Sequence, residues 1–215
     1  FYEVRMRFRS STNAEDLQGF SGAGLYTSAT GDPHDAAKPV AAAVRKVWAS
    51  LWNFRAFEER RFWGIDHLEV GMAILVHRSF PDEYANGVAL TANPFDVDGL
   101  EPAFYINVQV GEHSVVTPEP GVTSDQLLYH YQHPGQPIVY LGHSNLIPEG
   151  HSVLTINQLH ELGAALQDIH LHFWPVYGDE TVVNWYAMDV EFKFDYPLSG
   201  GPLQLFVKQA RPTSG

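Results

Sequence analysis

Apolar and polar residues alternate strictly from residue 4 to residue 9. Val4, Met6 and Phe8 point one way, and Arg5, Arg7 and Arg9 the other, which predicts a half-buried strand with a cationic second face. The period then changes. Val40, Val44, Val47, Trp48, Leu51, Trp52 and Phe62 form an apolar stripe that predicts one helix over 39–62. Pro39 suits its first turn, Glu58, Glu59, Arg60 and Arg61 read as its solvated face, and Gly64 reads as its stop. Val70 to Phe80 reads as a buried strand, Gly87 to Thr91 as another and Phe104 to Val110 as a third, with a turn over residues 81–86. Gln126 to Tyr131 and Ile138 to Leu141 flank His133-Pro134-Gly135 as a hairpin. Leu159, Leu162, Leu166 and Ile169 define a second helix over 155–172, opened by capping-box spacing at Thr155 and Gln158. A last hairpin joins Thr181 to Phe194 with Leu203 to Arg211. No repeat or linker clearly divides residues 1–215, which are expected to form a single functional domain.

Composition narrows the setting. A chain of 215 residues can hold one large domain or two small subdomains. The formal charge of −12, with no basic stripe, argues against nucleic acid as a partner. No apolar run reaches the roughly 18 residues of a membrane span, and no secretory signal opens the chain. The absence of cysteine excludes disulfides and thiolate metal sites and fits a cytoplasmic protein. Phe1 to Val4 reads as mid-domain strand, so a longer parent polypeptide is expected.

Candidate chemistry gathers at the two ends. Arg9 runs directly into a polar segment that leads to Gly19, Gly22 and Gly24, whose backbone amides could approach an anion. This is neither a Walker loop, since no Gly-Lys-Ser/Thr follows, nor a dinucleotide fingerprint. At the other end Asp189, Glu191 and Lys193 share one strand face. Two carboxylates about 7 Å apart along a strand suit a hard cation, and an exposed acidic strand is the plainer alternative. Gln209 and Arg211 follow Leu205 and Val207 in phase, so a core-phase strand finishes in two polar heads. His170 and His172 form H-x-H, whose spacing does not put both rings on one helix face as a zinc site would need. Tyr129, Tyr131 and Tyr140 read as strand packing.

Several ordered motifs together carry a resemblance. Arg9-Ser-Ser-Thr-Asn-Ala-Glu-Asp-Leu, Phe20-Ser-Gly-Ala-Gly-Leu-Tyr, Trp48-Ala-Ser-Leu-Trp, Gly87-Val-Ala-Leu-Thr-Ala-Asn-Pro, Asp189-Val-Glu-Phe and Gln209-Ala-Arg-Pro stand in one order. From Arg9 to Pro212 the chain resembles the nucleotide-binding domain of the phosphoenolpyruvate synthase and pyruvate phosphate dikinase family. The resemblance implies an α+β, ATP-grasp-like fold of mixed or antiparallel sheets with two main helices, holding ATP between two subdomains. It implies Arg9 on the ATP phosphates and Gly22, Ala23 and Gly24 in a phosphate-covering loop. It implies Val76 and His77 at the adenine edge, with His77 where the family usually has Gln. It implies Asp189 and Glu191 on Mg²⁺ and nucleotide, and Gln209 and Arg211 completing the phosphate and metal side, Gln209 among the metal ligands. In the family, ATP phosphorylates a histidine on a mobile partner domain, which passes phosphate to pyruvate on another.

The chain also departs from that pattern. Its four lysines are Lys38, Lys46, Lys193 and Lys208, and none stands in the glycine-rich segment that opens the family's N-terminal subdomain. That subdomain, the phosphohistidine domain and the pyruvate-binding domain are expected on the parent polypeptide, and the isolated chain is expected to bind ATP weakly and to lack activity. A degenerate nucleotide-binding or structural module without chemistry is the main alternative reading. A carbohydrate-binding module, suggested by ten tyrosines and five tryptophans, is a further one.

Overall fold

The computed structural model describes residues 4–17, 20–22, 24–80, 83–96, 99–178 and 186–213. The chain divides into two compact units, Phe1–Phe80 and Pro81–Gly215. The expected turn positions Pro81 and Asp82, the start of the last hairpin at 181–185, and Gly19 and Ala23 lie outside the described residues.

In the first unit the alternating segment becomes β1 (Met6–Thr12), with Met6 and Phe8 buried. Two short strands, β2 (Asp16–Leu17) and β3 (Phe20–Ser21), pair with each other. β4 (Ala29–Gly31) and β5 (Met72–Arg78) flank β1, giving a three-stranded antiparallel sheet in the order β4-β1-β5. β5 was expected to be buried. It is instead an edge strand whose Leu75 and Val76 are exposed.

The single helix expected over 39–62 is three pieces: α1 (Val40–Ala49), a 3₁₀ turn (Ser50–Trp52) and α2 (Phe54–Phe62). The break falls at Asn53, whose ψ of 136° leaves the helical region. Its side-chain amide donates to the Leu25 carbonyl and Thr27 Oγ1 rather than capping α2. The predicted stripe breaks with it. Val47 is fully buried among Met6, Phe8, Ala29 and Ala43, but Trp48, Trp52 and Phe62 are exposed.

In the second unit β6 (Ala85–Leu90), β7 (Phe104–Val110), β8 (Asp125–Tyr129), β9 (Ile138–Gly142), β10 (Met188–Asp195) and β11 (Gln204–Pro212) form one antiparallel sheet. Its order is β11-β10-β6-β7-β8-β9. One face is covered by α3 (Ile156–Tyr177), which starts with the expected Thr155–Gln158 capping box and buries Leu159, Leu162 and Leu166. The helix continues past residue 172 through Pro175, and Phe173 joins the core. Phe104, Ile106, Val108, Leu127, Val190, Phe192 and Phe194 fill the space beneath it. Packing there is close enough to demand glycine at one point. A Cβ on Gly87 would stand 2.4 Å from the Phe192 ring and 2.7 Å from the Asn107 carbonyl oxygen. Both outermost strand pairs are irregular: the register shifts between Glu191 and Phe192 against β11, and between Gln126 and Leu127 against β9.

The fold is thus α+β and ATP-grasp-like, with antiparallel sheets of three and six strands. Its helices number three among the described residues, because the first of the two expected ones is interrupted. None is long and apolar enough to cross a membrane.

Candidate functional site

In the first unit, β1 turns Arg7 and Arg9 to the face opposite Met6 and Phe8, as the alternation predicts, and Arg5 stands just before the strand. Arg7 Nη1 donates to Thr30 Oγ1 at 3.0 Å. Burial, and the neighbouring guanidiniums of Arg9 and Arg5, lower the Arg7 pKa from its ordinary value. Three neighbouring like charges repel each other, so an anion placed there relieves a standing electrostatic cost. In the β1–β5 register His77 lies opposite Arg7, on this cationic face, while Val76 lies opposite Phe8 and belongs to the other. The two residues expected together at the adenine edge therefore present opposite faces. His77 Nδ1 donates to the Arg78 carbonyl at 2.6 Å.

The glycine segment after Arg9 is a tight hairpin. The Gly22 amide donates to the Glu15 carbonyl, and a Cβ on Gly22 would meet the Glu15 Cα at 2.8 Å. Here glycine is required by close backbone approach, and its own N–H is already committed inside the loop. Gly24, at φ 74°, occupies the left-handed region. Arg60, expected on a solvated face, is 1% exposed. It donates to the Leu51 carbonyl (2.6 Å), Tyr26 Oη (3.2 Å) and His67 Nδ1 (3.3 Å), and Tyr26 Oη donates in turn to the Ala14 carbonyl (3.0 Å). The buried guanidinium thus ties both ends of the glycine segment to α2.

In the second unit, β10 presents Asp189, Glu191 and Lys193 on the face away from Val190, Phe192 and Phe194. Arg211 lies opposite Asp189 and Gln209 opposite Glu191. Their route to that face differs from the sequence expectation. In an unbroken strand Gln209 and Arg211 would follow Leu205 and Val207 onto the core side. The register shift makes Lys208 an extra residue, so Glu191 faces Gln209 while Phe192 faces Val207. Ala210 takes the core position, and both polar heads turn outward beside the carboxylates. Arg211 Nε (3.0 Å) and Nη2 (2.8 Å) both donate to Asp189 Oδ2. Lys208 Nζ stands 3.6 Å from Glu191 Oε2. Lys193 pairs with the buried carboxylate of Glu83.

The start of β10 is held from behind. Thr91 Oγ1 accepts from the Met188 amide at 2.8 Å and is hydrogen-bonded to His170 Nδ1 at 2.9 Å. His170 sits among Phe104, Trp174 and Tyr186, and burial lowers its pKa. Its partner His172 instead packs edge-on against Phe173. A lowered folded-state pKa means that the native state resists protonation. The contribution is fully present above about pH 6.5, the ordinary histidine value, and is lost as pH falls below it. Chemical denaturation of the second unit between pH 7 and pH 5 should therefore show falling stability, with a shallower slope in His170→Gln. Equal slopes would rule the histidine out as the cause.

The hairpin's donor set fits Mg²⁺: two carboxylates and an amide oxygen, all hard ligands on one face. Among the described residues no three His, Asp or Glu side chains converge as a closed metal cage. A magnesium ion here would complete its shell with phosphate oxygens and water, as it does at nucleotide sites. Sequence reasoning missed Lys208 and Thr91 as members of this neighbourhood. Lys208 meets Glu191 through the cross-strand register, which has no residue signature, and Thr91 acts through the backbone of a distant strand.

A family model described as "Pyruvate phosphate dikinase, AMP/ATP-binding domain" matches residues 2–215. Phosphoenolpyruvate synthase of Aquifex aeolicus is 28% identical over 238 residues, covering 98% of this chain and 26% of that protein. Probable phosphoenolpyruvate synthase of Pyrococcus horikoshii is 36% identical over 123 residues, 54% of this chain and 14% of its own length. Rifampicin phosphotransferase of Bacillus subtilis is 38% identical over 90 residues, 40% of this chain and 10% of that protein. The chain thus spans about a quarter or less of the length of these relatives.

Proposed function

This chain belongs to the pyruvate phosphate dikinase AMP/ATP-binding domain family, and we propose that residues 1–215 together serve as the ATP-binding part of a cytoplasmic, dikinase-type phosphotransferase. The reading rests chiefly on the β10–β11 hairpin, whose bulge gathers Asp189, Glu191, Gln209 and Arg211 on one face. Phosphoryl transfer is catalysed by positioning and by neutralising charge on phosphate oxygens, and these are the groups that such catalysis uses. Arg9, backed by Arg5 and Arg7, attracts the ATP phosphates, and the Gly22–Ala23–Gly24 segment covers them. His77, with Val76 beside it in sequence, meets the adenine edge. Asp189, Glu191 and Gln209 hold Mg²⁺, which when bound neutralises phosphate charge. Arg211 is oriented by Asp189 and stabilises the charge that develops on the transferred group.

The acceptor is a histidine on a partner domain of a longer polypeptide, which hands phosphate on to pyruvate or another acceptor. The long relatives support this in outline, and they include a phosphoenolpyruvate synthase, an alpha-glucan water dikinase and a rifampicin phosphotransferase. Neither nucleic acid nor membrane enters the reading. The expected missing N-terminal lysine subdomain belongs to it as a further part of the parent protein.

A second reading, a nucleotide-binding module without chemistry, draws support from the carboxylates, each of which already has a cation of its own hairpin beside it. One experiment separates them. The full-length protein is titrated with Mg-ATP in a calorimeter, and phosphate transfer from radiolabelled ATP to the protein is followed in wild type and Glu191→Ala. Binding plus transfer that the substitution abolishes is the expected result. Binding without transfer establishes the second reading, and transfer unchanged in Glu191→Ala overturns the site.

A further inference from the structure

Lys208 stands at the bulge, beside the glutamate of the candidate site. Two residues of β11, Lys208 and Gln209, stand opposite the single residue Glu191, so the lysine and the glutamine both come beside that carboxylate. Its ammonium is 3.6 Å from Glu191 Oε2, and its side chain is 19% exposed against 38% for the glutamate. Asp189 meanwhile has Arg211. Lys193 of the same face pairs with Glu83, so Asp189 and Glu191 are set against Arg211 and Lys208, and these four charges cancel.

This balance bears on how a metal can enter. A free divalent ion binding at Glu191 must either displace the ammonium or share the carboxylate with it, and it leaves the hairpin with two uncompensated positive charges. A metal–ATP complex at neutral pH carries about two net negative charges, so the same ion arriving on its nucleotide brings phosphate oxygens that can take over the ammonium it displaces, which a bare ion does not. The lysine stem has four rotatable carbons and a point-like charge, which lets its head move from a carboxylate to a nearby phosphate oxygen.

We propose that Lys208 is a resident counter-cation that excludes free divalent metal from Glu191 and passes to the nucleotide's phosphates when metal and nucleotide arrive together. The proposal rests on the ATP reading above and adds a determinant of specificity to it: the hairpin selects the metal–nucleotide complex over bare metal.

The test needs no turnover. Mn²⁺ binding to the full-length protein is followed by the electron paramagnetic resonance of free Mn²⁺, and ATP binding in EDTA by calorimetry. Lys208→Met should bind Mn²⁺ roughly five- to tenfold more tightly than wild type, and metal-free ATP more weakly by a similar factor. Lys208→Arg should keep both wild-type values. Lys208→Gln, of different shape and polarity, should repeat the methionine result, which guards against a misfolded single variant. Mn²⁺ affinity equal to or weaker than wild type in both neutral variants would overturn the proposal, as would a gain that persists when Glu191→Gln is added. A gain in Mn²⁺ affinity with no ATP binding by any protein, wild type included, would sink the nucleotide reading while still supporting competition between lysine and metal.

Discussion

Arg211→Ala is expected to slow ATP-dependent phosphoryl transfer by roughly a thousandfold, within the range seen when a charge-stabilising arginine or oxyanion donor is lost. Two losses combine. The cation leaves the phosphate side, and Asp189 loses the two bonds that hold its Oδ2. Stability should barely change, because both side chains are partly solvated and such pairs contribute about 1 kcal/mol or less. Arg211→Lys separates the two roles: it keeps the charge but cannot reproduce the two-pronged contact with Asp189. Single-turnover rates on the full-length protein should place the lysine variant between wild type and alanine. A loss smaller than about tenfold in Arg211→Ala would remove Arg211 from the reacting groups.

The second large effect falls on stability, far from the hairpin. Asp125 is fully buried at 0% exposure. Its carboxylate accepts from the Ser144 amide (2.8 Å) and the Val153 amide (2.7 Å), and His143 approaches the same group. Gln109, 1% exposed, works beside it: its Nε2 donates to the Thr123 carbonyl, and its Oε1 accepts from Ser144 Oγ. These two side chains fix the loop between β9 and α3 to the sheet. Asp125→Ala leaves two buried amides without an acceptor, at a cost of about 3 kcal/mol. In a unit of this size that corresponds to a fall in Tm of about 10 °C, readable by calorimetry or circular dichroism. Asp125→Asn, which keeps one acceptor oxygen, should lose less than alanine does. An unchanged Tm in Asp125→Ala would mean that the loop is held by other contacts.

Asp125 and Gln109 also mark the limit of what the chain discloses in advance. Alternation and helical periodicity located β1, β7, the β8–β9 hairpin, α3 and the final hairpin, because those elements bury one face against a core made of near neighbours. The break at Asn53 was illegible. Its cause is a pair of hydrogen bonds to Leu25 and Thr27, more than twenty residues away. Arg60 looked solvated among its charged neighbours because its partners at Tyr26, Leu51 and His67 are assembled only by the fold. β5 has a core strand's composition yet lies at an edge, a position that composition alone does not reveal.

The candidate site divides in the same way. Asp189 and Glu191 could be assigned to one face by counting, and Arg9 to the cationic face. Counting carried Gln209 and Arg211 to the wrong face, because a bulge adds one to the count without altering the residues that flank it. The ordered motifs, which depend on identity rather than phase, nonetheless placed them with the carboxylates.

The same irregularity has a bearing on how this protein keeps to itself. β11 and β9 are the two borders of the six-stranded sheet, where unpaired peptide groups could recruit a strand from a second molecule. Each border pairs with its inner neighbour through a shifted register. A bulged, sharply twisted border is a poor template for another strand, and a lysine on it opposes close stacking of like copies. The distortion that turns Gln209 and Arg211 outward therefore also guards an open sheet margin against aggregation, so that straightening β11 would threaten solubility as well as chemistry.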